Sequence, residues 1–337
     1  MQKQKKASKE YLCLGIESTA HTFGASVVSS KGKVLSNERK LFTTESGGIV
    51  PQQAAEHHVQ FCDSIINEAL KKAGKTMKDI KLISFSQSPG LGHCLRIGGM
   101  VSRSLASINK KDLIGVNHCI AHLEIGRLAT DAKDPVLLYV SGANTQVIAY
   151  EGGKYRIFGE TLDMGAGNFI DTFARTLGLG FPGGPKIYEL SLKAKNFVPI
   201  PYTVKGMDVS FSGILTNLEQ KYKSGEFSKE DLAYSLQETI FAMLVEVAER
   251  AMAHTGKEEL VLGGGVACNK RLQEMARKMC EERDAKYFCP PNEFLVDNAA
   301  MIAWLGILQY NAGERLKIKD AKVDPYLRTD DIKVTWR

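Results

Sequence analysis

The sequence has 337 residues and lacks an apolar run long enough to cross a membrane. The longest such run, Ala299 to Leu308, is about half the length that a transmembrane helix needs. The apolar stretch after the basic N-terminus is too short for a signal peptide and contains Glu17, with no small-residue cleavage site behind it. We therefore expect a cytoplasmic protein without a membrane anchor.

Paired cysteines are also absent. The seven cysteines are scattered and never form a C-x-x-C pair, which favours reduced thiols over a disulfide framework or a thiolate zinc site. The net charge of +6 and the 44% content of hydrophobic residues are those of an ordinary globular protein. So small a charge permits nucleic-acid binding without indicating it, and we interpret residues 1–11 as a basic, solvated tail.

The two halves of the chain begin with a similar pattern of three strands. Three strands are predicted at 12–17, 23–29 and 33–41 around the polar turn Ser18 to Thr22, and three more at 136–141, 145–150 and 155–163. Behind each set the apolar spacing changes from two toward three or four, which predicts helices alternating with short strands. The helices are predicted at 52–73, 96–108, 119–128, 168–177, 185–194, 213–223, 229–254, 269–282 and 297–310, and the remaining strands at 82–86, 113–116, 260–262 and 286–289.

This order predicts an α/β protein with two lobes, each a sheet with flanking helices. We place the N-terminal lobe at 12–134 and the C-terminal lobe at 135–337. Ligands are expected in the cleft between the lobes, where polar and glycine-rich turns follow the ends of strands.

Three such turns are Ser18 to Thr22, Ser141 to Asn144 and Leu262 to Lys270. The last has three consecutive glycines between a strand and a helix start, an arrangement that suits a phosphate group. It does not match G-x-x-x-x-G-K-[ST], and tight strand-to-helix packing is the alternative reason for the glycines. A further run, FPGGP at 181–185, is either a helix start or a close approach of backbone to a sugar or phosphate.

His118 and His122 are four residues apart in a predicted helix, so both imidazoles lie on one face and could share a metal ion. A chance pair is the alternative. Because Cys119 stands where H-E-x-x-H has its glutamate, a metallopeptidase is disfavoured. The carboxylates of Asp163, Asp171 and Asp297 lie at predicted element starts, where helix capping is the default role, and spacing alone assigns none of them to a metal.

Seven motifs occur in order along the chain: GIESTAHTFGASVV, NHCIAH, YVSGANTQV, the D-x-G-x-G-x-x-x-D run of 163–171, FPGGP, GGGVACN and DNAAMIAW. Together they closely resemble the tRNA N6-adenosine threonylcarbamoyltransferases of archaea and eukaryotes, the catalytic subunits of the KEOPS complex. The resemblance extends from about Leu12 to Arg337, and HTFGA and SGANT are similar to the archaeal form.

The resemblance implies a duplicated actin-like ATPase fold, shared with sugar kinases and Hsp70, with an inter-lobe cleft. It implies transfer of the threonylcarbamoyl group from threonylcarbamoyl-adenylate to N6 of the adenosine beside the tRNA anticodon, with release of AMP. The implied cofactors are one iron or zinc ion and an adenine nucleotide. The implied partners are tRNA, a small atypical kinase-like ATPase, a dimerising subunit and an upstream synthase that supplies the adenylate.

The resemblance also implies site residues. Catalytic and metal-binding roles fall to His118, His122 and Asp297, with Tyr139 beside or bound to the metal. The positions that would hold the adenylate and its threonyl arm are Tyr139, Val140, Ser141, Gly142, Ala143, Asp171, Gly184 and Asn269.

The sequence departs from the family at Tyr188, where an acidic residue is usual, so a ribose contact is either made by the tyrosine hydroxyl or missing. Glu17 and His21 are candidates for substrate positioning or proton handling. The competing hypotheses are a metal-dependent peptidase, a sugar or acetate kinase, and a scaffold that binds nucleotide without turnover.

Overall fold

The computed structural model describes residues 10–44 and 48–337, so the predicted basic tail lies almost entirely outside the described residues. Two five-stranded sheets organise the described chain. Within the described ranges, no helix combines the length and the apolar character that crossing a bilayer requires.

The first sheet has the strand order β3-β2-β1-β4-β5. Its strands are β1 (Leu12–Glu17), β2 (Thr22–Ser29), β3 (Val34–Leu41), β4 (Ile80–Ser88) and β5 (Asp112–Asn117). Strands β1 to β3 pair antiparallel, whereas β4 and β5 extend the sheet in parallel from β1. Every residue of β2 is buried, as in a strand covered on both faces.

The second sheet repeats this plan with the order β12-β11-β6-β7-β8. Its strands are β6 (Val136–Val140), β7 (Thr145–Glu151), β8 (Lys154–Glu160), β11 (Glu259–Gly263) and β12 (Lys286–Phe288), and a small hairpin is formed by β9 (Val204–Lys205) and β10 (Asp208–Val209). Again the first three strands are antiparallel and the last two are parallel. The predicted duplication and α/β class are thus confirmed.

Ten α-helices lie in the described part of the chain: α1 (Pro51–Lys72), α2 (Gly92–Asn109), α3 (His118–Ala129), α4 (Ala166–Thr176), α5 (Gly184–Ser191), α6 (Ser212–Ser224), α7 (Lys229–Thr255), α8 (Lys270–Glu282), α9 (Asn292–Leu295) and α10 (Ala299–Asn311). The nine predicted helices are all present. The start of α2 was predicted four residues too late, because Leu91, which precedes its first residue, provides no side-chain cap. The short α9 was not predicted.

Helices α3 and α10 form a central layer between the sheets. Helix α10 follows the second sheet in sequence but packs on the first: Ser84 Oγ donates to the carbonyl of Ile302 at 2.7 Å. The contact is so close that a Cβ on Gly15 would lie 2.2 Å from the carbonyl oxygen of Ala299. Packing therefore crosses the boundary after residue 134 that we proposed between the two lobes.

A segment that we call the strap (residues 313–337) connects the two sheets. On the first sheet, Gln87 Nε2 donates to the carbonyl of Lys322 at 2.6 Å. On the second, Arg328 pairs with Glu160 at 3.0 Å and the Arg337 guanidinium lies 4.3 Å from the centroid of the Tyr150 ring. Between them the strap reaches α3, where Trp336 Nε1 donates to Glu124 Oε1 at 2.9 Å.

Candidate functional site

His118, His122 and Asp297 form a cluster with metal-ligand geometry. Their ligand atoms all lie within 4.8 Å of one another. The Nε2 atoms of His118 and His122 lie 3.3 and 3.5 Å from Asp297 Oδ1. Both histidine side chains are almost completely buried, whereas the Asp297 side chain keeps 13% of its surface exposed, so the cluster opens on the carboxylate side.

Two helix N-caps determine where these residues lie. Asn117 Oδ1 accepts from the backbone N–H of Ile120 at 3.1 Å, so α3 begins at His118 and the two histidines occupy one helix face. At α10 the capping residue is Asn298, whose Oδ1 accepts from Met301 N–H at 3.0 Å. The default capping role considered for Asp297 was therefore wrong, and its carboxylate is available to the histidines.

The electrostatics of the cluster suit a cation. Burial lowers the pKa of His118, but the carboxylates of Glu17 and Asp297 outweigh it and raise that pKa well above its ordinary value. Burial likewise raises the pKa of Asp297, yet His118 and His122 hold it well below the ordinary value. In the described residues, neither ring nitrogen of His122 has a hydrogen-bond partner, although both are buried. A metal ion would bind one of these nitrogens together with His118 and Asp297.

Glu17 lies behind His118, at the end of β1, and is completely buried. His118 Nδ1 lies 3.0 Å from Glu17 Oε2, while Glu17 Oε1 accepts from the Thr19 N–H at 2.6 Å and from the Thr19 hydroxyl. This contact leaves His118 Nε2 directed at Asp297. The geometry supports orientation of a metal ligand more than direct contact with substrate. Thr19 was not among our candidates, and only its place in the first polar turn could have indicated it.

Glu17→Gln is expected to weaken metal affinity by about 10- to 100-fold, the usual cost of losing a hydrogen-bond partner of a metal-binding histidine. The amide can still occupy the space but removes the charge that faces His118 Nδ1. Competition with a chelator, followed by elemental analysis, measures this change.

The matched control is Glu124→Gln on α3. Glu124 is also buried, but it binds Arg127, Tyr155 and Trp336 instead of a histidine. Glu124→Gln should therefore lower the melting temperature and leave metal affinity unchanged. Equal metal loss in both variants would show that Glu17 acts only through general stability.

The turn after β6 lies beside the histidines. Tyr139 is 1% exposed, and its ring centroid is 4.9 Å from that of His122. Burial, reinforced by the negative charge of Asp297, raises the pKa of Tyr139 well above its ordinary value. Val140 ends the strand, and Gly142 and Ala143 are exposed at the tip of the turn.

Two glycines of the D-x-G-x-G-x-x-x-D motif let α4 press against this turn. The N–H groups of Gly167 and Asn168 donate to the carbonyls of Ser141 and Gly142 at 3.0 and 2.9 Å. A Cβ on Gly165 would lie 2.3 Å from the Gly142 carbonyl oxygen, so only glycine permits this approach. The motif therefore fixes the shape of the Ser141 to Asn144 turn.

The glycine run after β11 meets the same turn. Gly264 has φ +90°, and a Cβ on it would lie 2.3 Å from the Val140 carbonyl oxygen. A 3₁₀ turn, Gly265–Cys268, then precedes α8. We had predicted that the helix begins at Asn269 itself. Instead Asn269 caps α8, accepting from Arg271 N–H at 2.9 Å, and Gly265 adjoins open space.

Asp171 lies inside α4 and not at a helix start as predicted. Its Oδ1 accepts from Gly183 N–H at 2.7 Å, which fixes the FPGGP loop. Burial raises the pKa of Asp171, although the hydrogen bond from Gly183 opposes this. A Cβ on Gly184 would contact nothing within 4 Å, so the loop borders open space there, and Tyr188 follows half-buried on α5.

His21 faces this loop from the first lobe. Its ring is perpendicular to that of Phe181, with 5.6 Å between centroids. His21 also contributes to lowering the pKa values of Asp171 and Asp297, after the larger effects at each carboxylate. It is therefore close enough to both carboxylates to affect their charge.

Asp163 caps a distant helix instead of joining the site. Burial alone would raise its pKa, but hydrogen bonds from Ser210, Ser212 and the Phe211 N–H hold that pKa well below the ordinary value. The Ser212 N–H to Oδ2 distance is 2.8 Å, so Asp163 serves as the cap that α6 lacks locally.

Asp163→Asn should lower the free energy of unfolding at pH 7 by about 1 kcal/mol, because the amide nitrogen cannot accept the hydrogen bonds that the second carboxylate oxygen accepts, with water screening limiting the charge effect. Since the folded pKa is depressed, this stabilisation is present above the ordinary carboxylate pKa of about 4 and is lost as the pH falls below it. Urea unfolding from pH 7 to pH 2 measures both effects. The exposed Asp131→Asn is the control, and an acid limb identical to wild type in the Asp163 variant would contradict the assignment.

These observations define a class: a protein with the actin-like ATPase fold and a candidate His/His/Asp metal centre beside its glycine-rich turns. The fold is similar to that of HypF from T. kodakarensis, with TM-score 0.65, 16% identity, and 94% of this chain and 50% of that chain covered. It is also similar to component A of the (R)-2-hydroxyglutaryl-CoA dehydratase of Acidaminococcus fermentans, with TM-score 0.57, 15% identity, and 90% and 100% covered.

The family model for TsaD, tRNA N6-adenosine threonylcarbamoyltransferase, matches residues 33–304. A relative with that name from Thermococcus kodakarensis is 56% identical over 96% of this chain and 99% of its own length, and one from Thermofilum pendens is 49% identical over 96% of each chain. The chain therefore belongs to the tRNA N6-adenosine threonylcarbamoyltransferase family and is a transferase that acts on tRNA. The family resemblance is confirmed.

A third relative, from Methanocaldococcus jannaschii, is named a probable bifunctional tRNA threonylcarbamoyladenosine biosynthesis protein. It is 51% identical over 96% of this chain, which spans 60% of its length.

Proposed function

We propose that this chain transfers the threonylcarbamoyl group of threonylcarbamoyl-adenylate to N6 of the adenosine adjacent to the tRNA anticodon. The observation that carries the proposal is the His118–His122–Asp297 cluster, which lies beside the Tyr139 turn in a chain of this family.

The reaction balances without a redox partner. The N6 amine attacks the carbamoyl carbon, a C–N bond forms, and the bond from that carbon to the phosphate oxygen breaks. AMP leaves with the electron pair, and the amine loses one proton. Because the exocyclic amine is a weak nucleophile, orientation and stabilisation of the leaving group should contribute most.

His118, His122 and Asp297 would hold one iron or zinc ion, with Tyr139 beside or bound to it. When bound, that ion supplies Lewis acidity toward a carbonyl or phosphoryl oxygen. Within the Ser141 to Ala143 turn, the Ser141 N–H donates to the Asn144 carbonyl, and the backbone N–H groups of Gly142 and Ala143 suit the phosphate.

Further substrate contacts follow from the surrounding side chains. Asp171 suits a ribose hydroxyl and Asn269 suits an adenine edge. Gly184 and Gly265 border open space where the nucleotide could fit. His21 would take part in substrate positioning or proton handling.

The partners belong to the same proposal. We expect tRNA, a synthase that supplies the adenylate, and the KEOPS subunits, namely a small kinase-like ATPase and a dimerising subunit. The relative named bifunctional has additional sequence that could hold a second activity of this pathway. A cytoplasmic location stays a prediction.

The test mixes the purified chain with preformed threonylcarbamoyl-adenylate and unmodified tRNA, with and without the kinase-like partner. Modified adenosine is followed by mass spectrometry. Product that requires an intact metal cluster supports the transferase. Phosphorylation of a small molecule from ATP, or bound nucleotide with no product in the presence of all partners, would favour the kinase or scaffold hypothesis.

A further inference from the structure

The side-chain amide of Asn269 has a fixed orientation. Its Oδ1 accepts from the backbone N–H of Arg271 at 2.9 Å, and its Nδ2 donates to Gln237 Oε1 at 2.5 Å. A backbone N–H can only donate, so the atom it contacts must be the amide oxygen. The amide nitrogen therefore faces Gln237.

Gln237 lies in α7 and is 2% exposed, which is unusual for a glutamine that has no metal or charge to bind. The next residue, Glu238, pairs with Arg271 through two contacts, at 2.7 Å to Nε and 2.8 Å to Nη2. Two consecutive residues of α7 thus hold Asn269 and Arg271, one on each side of the first residue of α8. Such paired contacts restrict both the position and the rotation of the Asn269 amide.

We propose that Gln237 is a positioning residue for the nucleotide site, and that it orients Asn269 to present one N–H to a hydrogen-bond acceptor of the ligand. This inference rests on the proposed function, because it takes Asn269 as a nucleotide contact. Nδ2 carries two protons, and Gln237 takes one of them. The ligand group that meets the remaining N–H is consequently an acceptor, such as an unprotonated ring nitrogen of a purine.

Without Gln237 the amide loses the partner that fixes its nitrogen side. The backbone contact with Arg271 would remain, so the cap of α8 and the fold should persist. The free N–H would instead sample several directions, and the ligand would have to restrict it on binding. The loss should therefore appear in nucleotide affinity and not in metal content.

The experiment measures binding of AMP and of a non-hydrolysable ATP analogue to the metal-loaded full chain by isothermal titration calorimetry. Gln237→Leu should weaken both by about 3- to 10-fold, the size expected for one hydrogen bond. Gln237→Glu keeps an acceptor oxygen beside Asn269 and should bind more tightly than Gln237→Leu. Metal content should equal that of wild type in both.

The matched control is Gln309→Leu, which removes another buried glutamine, near the end of α10, that is not hydrogen-bonded to Asn269. It should leave nucleotide affinity within about twofold of wild type, as for a substitution away from the site. Unchanged affinity in Gln237→Leu, or an equal loss in Gln309→Leu, would overturn the inference. If wild type binds neither nucleotide, the proposed nucleotide site itself fails, which is a distinct result.

If Gln237→Leu fails to fold, amide proton exchange in the wild-type protein provides a second test of the inference. In protein labelled with ¹⁵N-asparagine, the Asn269 side-chain signal is identified by its absence from Asn269→Ala. One of its two amide protons should exchange slowly with solvent because Gln237 accepts it. Fast exchange of both protons would overturn the inference.

Discussion

His122→Ala should eliminate metal binding and reduce formation of modified adenosine by at least about 100-fold, because one of three ligands is lost. The protein should remain folded. The His122 ring has no hydrogen-bond partner among the described residues, and Asp297, 3.5 Å from its Nε2, keeps His118 as a partner, so removal of His122 leaves mainly a cavity. His118→Ala should have the same effect on metal and also release Glu17. Elemental analysis and mass spectrometry of tRNA nucleosides measure the two quantities.

His58→Ala is the control for this result. His58 is equally buried, lies on α1, and also has a ring nitrogen without a partner in the described residues. The His58→Ala variant should bind metal as wild type does and lose only some stability. A His122 variant that retains metal would reject the ligand assignment. One that loses metal but keeps full turnover would reject the catalytic role of the cluster.

Gly264→Ala is expected to lower the free energy of unfolding by about 2 to 5 kcal/mol, the combined cost of a strained backbone and an overpacked contact. At φ +90° the backbone of an alanine is strained even where there is space for its side chain. Here there is no space, because the Cβ would lie 2.3 Å from the Val140 carbonyl oxygen. Relief requires the glycine run to move away from the turn after β6. Nucleotide affinity should therefore fall with stability. Chemical denaturation and calorimetric titration measure the two effects.

The adjacent glycine provides a close control. A Cβ on Gly265 would contact nothing within 4 Å, and its φ is not in the left-handed region. Gly265→Ala should therefore change stability by no more than about 0.5 kcal/mol. Any change in nucleotide affinity caused by Gly265→Ala would then come from the added methyl group in the open space beside this residue. Equal destabilisation by both substitutions would show that general loop flexibility, and not the contact with Val140, requires the glycines.

The sequence predicted the helices and strands well because apolar and polar residues alternate clearly in the first three strands of each half, and because the helices are long. It predicted the histidine pair for the same reason, since a spacing of four is visible within one helix. It could not bring Asp297 to that pair without the family resemblance. Their proximity depends on α10 returning to the first sheet, a contact that no local pattern records.

Other features depended on burial or irregular backbone. Glu17 was proposed from the sequence as a site candidate, but its position behind His118 follows from packing around the end of β1. The 3₁₀ turn after Gly264 is too short to show a periodic pattern. The strap has no regular spacing of apolar residues, so nothing in its sequence indicated that it connects the sheets.

The strap also affects how far the two lobes can move relative to each other. Its hydrogen bonds and ion pairs attach to both sheets, and Trp336 reaches Glu124 on the helix that carries His118 and His122. A hinge rotation of one lobe would have to break the contacts at one end of the strap. The strap therefore restrains how far one sheet can turn relative to the other in the folded chain.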